Sequence, residues 1–153
     1  MLGHIVSKIG IYIDPERIKA VKQIPLPHNK KGMQYFMGTI NFVRRFVPDF
    51  AQIVKTLQQM INQSVQFKWT DTEKGDFNNI KEAIAHAPPL KIPNFEKDFI
   101  LYTFSSDNSL ATVLTQKEER GDEYPISFMS TRSQGAELNY HANGKHAVFK
   151  VVK

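Results

Sequence analysis

The chain has no cysteine, one tryptophan and no long apolar run. The absence of Cys excludes disulfides and thiolate metal sites, and it fits an intracellular protein. A membrane-crossing helix needs about 20 apolar residues in succession. None is present, so no membrane partner is expected. The opening residues, from Met1 to Lys8, also lack the apolar core of about 7–15 residues that marks a secretion signal.

Acidic residues are scarce in one part only. Residues 1–64 hold nine Lys/Arg against three Asp/Glu, residues 65–97 hold five against five, and residues 98–153 hold six against seven. The whole net charge of +5 therefore originates in the first 64 residues. A basic segment joined to a neutral one suggests that one half faces a polyanion. A solvated basic helical surface would produce the same count.

With 153 residues the chain is long enough for one domain or two small ones. Residues 2–13 read as a hairpin, with Gly10 as the turn signal. Asp14-Pro15-Glu16 opens a first helix: an N-cap acid, a proline at the first helical position and a second acid. Pro25 and Pro27 end it. Asn29 caps a second helix that runs to about Val47, with Met33, Phe36, Met37, Ile40 and Val43 on its apolar face. Pro48 stops that helix and Asp49 caps a third. Thr70 and Glu73 have capping-box spacing and open a fourth. Pro88, Pro89 and Pro93 mark an extended tether. The periodicity then shifts to strands at about 98–105, 109–118 and 124–131, and a last helix is expected from Ala136 to the chain end.

Four blocks of the sequence, in order, resemble Ty3/gypsy retrotransposon polymerases. Leu2-Gly3-His4 with Val6, Ser7, Gly10 and Asp14-Pro15 is similar to the block that leaves the palm and enters the thumb. Pro25, Pro27, Phe36, Gly38 and Arg44-Arg45-Phe46-Val47-Pro48 resemble the thumb motif. Phe67, Trp69 and Pro88 resemble the lead into the connection. Residues 99–116, Pro125-Ile126-Ser127-Phe128 and residues 136–140 resemble the first half of the RNase H domain. The wording of residues 128–131 and 136–140 is closest to plant elements.

The resemblance implies an α+β fold, with a helical thumb and connection followed by a partial RNase H-like domain of three antiparallel strands and one helix. It divides the chain into a palm-exit hairpin (1–13), a thumb-like segment (14–64), a connection helix with its tether (65–97) and a truncated RNase H-like domain (98–153). It also implies a duplex-binding role for Lys8, Lys30, Lys31, Arg44, Arg45 and Lys55, because Lys and Arg neutralise phosphates.

The family's first strand carries a metal-binding Asp in a motif like TDAS. Here that stretch is Thr103-Phe104-Ser105-Ser106. An aromatic ring cannot ligate a hard cation, so Phe104 is expected to pack in the fold and fill the space of the metal site. Where the family places a helix Glu, this sequence has Gly144 or His146. With the palm and the later acids also missing, the expectation is a non-enzyme with no catalytic residue, metal or cofactor, retaining weak, non-specific binding to RNA–DNA or DNA duplex. The competing expectation is a protein-interaction module: residues 99–104 form an apolar, uncharged strand whose free edge would drive self-association.

Overall fold

The computed structural model describes residues 3–105, 109–132 and 146–151, the last of these by backbone alone. The elements run β1 (His4–Ser7), β2 (Gly10–Ile13), α1 (Pro15–Gln23), α2 (Lys30–Ile40), a 3₁₀ segment (Asn41–Phe46), α3 (Phe50–Ile53), α4 (Lys55–Ile61), α5 (Asp71–Ala85), β3 (Phe99–Ser105), β4 (Ser109–Lys117), β5 (Glu123–Arg132) and β6 (His146–Val151). The class is α+β, helices first and antiparallel sheet second, as the sequence implies.

The caps mostly form as expected. Asp14 accepts from the Glu16 amide at 3.0 Å and Asn29 from the Gly32 amide at 2.8 Å. Thr70 and Glu73 bond reciprocally, the Glu73 carboxylate accepting from the Thr70 amide at 3.0 Å. That carboxyl is held below its usual range, chiefly by the Thr70 hydroxyl.

Two helical details differ. The second helix changes to 3₁₀ geometry at Asn41 rather than continuing to Val47. Ile40, Val43 and Phe46 are all fully buried at intervals of three. A 3₁₀ helix has about three residues per turn and keeps such a row on one side, whereas an α-helix lets it drift. Asp49 does not cap the third helix. It adopts φ 46°, in the left-handed region, and its carboxylate instead accepts from the Ser109 hydroxyl at 3.3 Å. That helix is broken at Val54 into α3 and α4.

The apolar core lies in the helical half. Met33, Phe36, Val43, Phe46, Leu57, Phe77, Ile80 and Ile84 are among its fully enclosed members, and Phe128 of β5 packs against it. Lys81 ties α5 to the end of α1, its ammonium donating to the carbonyls of Lys22 (3.1 Å) and Ile24. Partial burial lowers the pKa of that ammonium.

The N-terminal hairpin is anchored to the tether. Ile11 N–H donates to Leu90 O (2.6 Å) and Leu90 N–H to Ile11 O (2.8 Å). Gly10 makes this approach possible: at φ 149°, a Cβ there would lie 2.5 Å from the Leu90 carbonyl oxygen. The next residue faces the sheet, with Lys91 N–H donating to Pro125 O at 3.1 Å. Further along, the fully buried Gln116 of β4 holds the tether. Its amide donates to the carbonyls of Asn94 (2.7 Å) and Lys97 (3.2 Å) and accepts from the Asn94 N–H (2.9 Å).

The strand order is β5-β4-β3-β6, antiparallel throughout, with a bulge between Leu114 and Thr115. The expected β3–β4–β5 meander is present. The expected last helix is corrected over residues 146–151, which form β6; residues 136–145 lie outside the described residues. Ala147, Phe149 and Val151 alternate with His146, Val148 and Lys150, a strand period of two. Pairing with β3 satisfies backbone groups that β3 would otherwise leave open.

This pairing also corrects the expectation of self-association through residues 99–104. Each residue from Phe99 to Phe104 has a partner in β6, so that edge is covered.

Candidate nucleic-acid interface

The six cations named from the sequence do not stand in equivalent places. Lys8 is exposed at the tip of the β1–β2 hairpin, beside the exposed Ile9. Lys31 is exposed in the first turn of α2. Lys30, one residue before it, is committed to the fold: its ammonium donates to the carbonyls of Asn62 (2.7 Å) and Gln63 (3.2 Å), where α4 ends. Lysine at a helix C-terminus satisfies orphan carbonyls and complements the dipole. Lys55 is half-buried at the start of α4. The following residue, Thr56, bonds Asp76 of α5 and fixes that turn.

Arg44 and Arg45 point to different surroundings although they are adjacent in the 3₁₀ segment. The Arg45 guanidinium lies over the Phe46 ring, 5.1 Å from its centroid, and the side chain is half-buried. Arg44 is exposed and donates to the Ser130 carbonyl at 3.4 Å. Ser130 joins the two halves, since its hydroxyl also accepts from the Ala51 N–H at 2.8 Å. Arg44 therefore sits where the helical half meets β5.

A cleft of about 460 Å³ opens at that junction, lined by Asn41, Arg44, Phe50, Ala51, Gln58, Ser130, Thr131 and Arg132. Arg132 carries no signal in the sequence, because it lies in the neutral half of the chain and 88 positions after Arg44. Only the packing of β5 against the 3₁₀ segment and α3 brings the two together. On α1, the Arg17 guanidinium lies 5.6 Å from the centre of the Phe42 ring.

Of the three degenerate acid positions, Gly144 lies outside the described residues and His146 is placed by backbone alone. Phe104 ends β3 and is 42% exposed. It does not fill an enclosed space, which corrects that expectation. Among the described residues no group of three or more His, Asp or Glu could hold a metal ion. Among the same residues no helix is long and apolar enough to cross a membrane.

Residues 69–153, more than half of the chain, match the family described as RNase H-like domain found in reverse transcriptase. The chain belongs to this family. The match starts at Trp69, so the family unit takes in α5 together with the sheet. Over 99% of its length the chain is 32% identical to the Transposon Tf2-3 polyprotein of Schizosaccharomyces pombe, and it spans 12% of that polyprotein. It is also similar to the foamy viral protease-reverse transcriptase in complex with RNA/DNA hybrid: TM-score 0.76, 26% identity, 90% of this chain and 19% of that one. The foamy viral protease-reverse transcriptase dRH in complex with ds DNA gives TM-score 0.78, with 26% identity and 90% coverage of this chain against 24% of that one.

These relationships support the retrotransposon polymerase resemblance and correct the expectation of a non-enzyme. That expectation counted missing acids and a missing palm. A chain spanning 12% of its polyprotein relatives gives no such count for the whole, and its family is that of an RNase H-like domain of reverse transcriptase.

Proposed function

We propose that this chain forms the thumb, the connection and the first part of the RNase H-like domain of a Ty3/gypsy-type reverse transcriptase, and that it holds nucleic-acid duplex by non-specific phosphate contacts. In this reading residues 14–64 are the thumb and residues 65–97 the connection. Assignment to plant elements rests on the wording of residues 128–131 and 136–140. The observation that carries the reading is the join between two facts. Solved polymerases of this shape are bound to RNA/DNA hybrid and to double-stranded DNA. The excess positive charge of this chain is confined to the half that contains Arg44 and Arg45.

Lys8, Lys31, Arg44, Arg45 and Lys55 are the phosphate contacts, and Lys30 acts mainly through the end of α4. Such binding is sequence-independent and salt-sensitive, with Kd of about 10⁻⁴–10⁻⁶ M. Fluorescence anisotropy with a labelled RNA–DNA hybrid across a salt series tests it. Arg44→Ala with Arg45→Ala should weaken binding and flatten the log–log salt slope by roughly one to two. Parent-like binding by the double variant would reject the assignment.

A further inference from the structure

We infer that the cleft between the 3₁₀ segment and the end of β5 is a seat for one phosphate group of a nucleic-acid backbone, gripped by Arg44 and Arg132. This rests on the duplex-binding reading and extends it: the neutral, sheet-bearing half contributes a binding residue of its own. Five observations converge.

Two guanidinium-bearing residues from elements far apart in sequence line one concavity, and no acidic side chain among the described residues lines it. Neither arginine has a carboxylate partner among the described residues. Two like charges brought to one concave surface repel each other, and a bound anion converts that cost into attraction.

The bond from Arg44 to the Ser130 carbonyl uses one nitrogen of its fork and fixes its direction. Its remaining N–H groups are still able to donate, and guanidinium geometry suits phosphate oxygens. Asn41 and Gln58, which also line the cleft, carry amide donors. Finally, at about 460 Å³ the cleft has room for a phosphate with its hydration, and bridging water keeps such contacts strong.

Arg44 alone could act as one more point on a basic surface. Arg132 separates the two ideas, because it lies outside the basic half. Duplex binding is measured across a salt series for the parent, Arg132→Ala, Arg132→Gln and Arg45→Ala, with circular dichroism to verify folding of each. Inorganic phosphate is titrated into the parent in parallel as a competitor.

The seat predicts a loss of roughly tenfold in duplex affinity for either Arg132 variant at low salt. It also predicts a salt slope lower by about one, and displacement of duplex by phosphate at high concentration. Parent-like affinity and slope for both Arg132 variants, with Arg45→Ala weakened, would overturn the cleft and leave the basic-half reading standing. Saturation of the cleft by free phosphate with no effect on duplex would assign it to a small anion and overturn the proposal too. No duplex binding by the parent would remove both readings.

Discussion

Phe104 and His146 stand opposite each other in the register of β3 and β6. Phe104 stands where the family resemblance expects the first acid, His146 is one of the two alternatives, with Gly144, for its helix Glu, and the two lie about 40 residues apart in sequence. The strand pair that brings them together also closes the free side of β3. The first prediction is that amides of β3 exchange with solvent as slowly as those of β4. Rapid exchange at every second β3 amide would show that β6 does not pair there.

A second prediction concerns Gly10. Gly10→Ala places a Cβ against the Leu90 carbonyl and forces a conformation that L-residues avoid. The expected cost is about 1–3 kcal/mol. Urea denaturation followed by tryptophan fluorescence checks it, and an unchanged midpoint would mean that the hairpin does not dock on Leu90.

Gln116 gives a third. It makes three hydrogen bonds to the tether backbone from a fully buried position. Gln116→Leu keeps the bulk and removes the bonds to the Asn94 N–H and the Lys97 carbonyl, while the Asn94 carbonyl keeps its bond from the Lys97 N–H, at about 1–3 kcal/mol per group left without a partner or water. Stability should fall, and limited proteolysis should cut first near residues 94–97. A variant as stable and resistant as the parent would contradict this account of the tether.

The capping box of α5 supplies a pH dependence. The Thr70 hydroxyl holds the Glu73 carboxyl below the usual range. The ionised carboxylate therefore stabilises the fold above about pH 4.3, the ordinary Glu value, and this contribution is lost as pH falls through the lowered folded value. Glu73→Gln preserves the box geometry without the titration, so its stability should decline less than the parent's on acidification. Thr70→Ala should cost about 1 kcal/mol near neutral pH. Parallel pH–stability curves for parent and Glu73→Gln would refute the assignment.

A fifth prediction separates Lys30 from its neighbour. Lys30→Ala should lower stability by about 1 kcal/mol, through loss of its contacts with the Asn62 and Gln63 carbonyls. Lys31→Ala should leave stability unchanged and reduce duplex affinity at low salt. The reverse pattern would exchange their roles.

Much of the fold was legible locally. Asp14, Asn29 and the Thr70–Glu73 box announce helix starts because their bonds reach only two or three residues along the chain. The three strands of the meander follow from alternation and turn residues. What escaped depends on partners distant in sequence. Asp49 looks like a helix cap until Ser109 arrives to take its carboxylate. Residues 146–151 suit either a helix or a strand, and the open side of β3 decides between them. Of the candidate site, Arg44 was visible as part of a charged motif. Arg132 was not, since a single arginine in a neutral segment carries no signal until the sheet packs.

Leu90 and Lys91 are consecutive residues bonded to opposite parts of the molecule, one to the hairpin at Ile11 and the other to β5 at Pro125. The hairpin is thus linked to the sheet across a single peptide unit, at a residue, Leu90, that is itself buried in the helical core. β5 runs on from that junction to Arg132, so one strand carries both the anchor of the tether and a wall of the cleft.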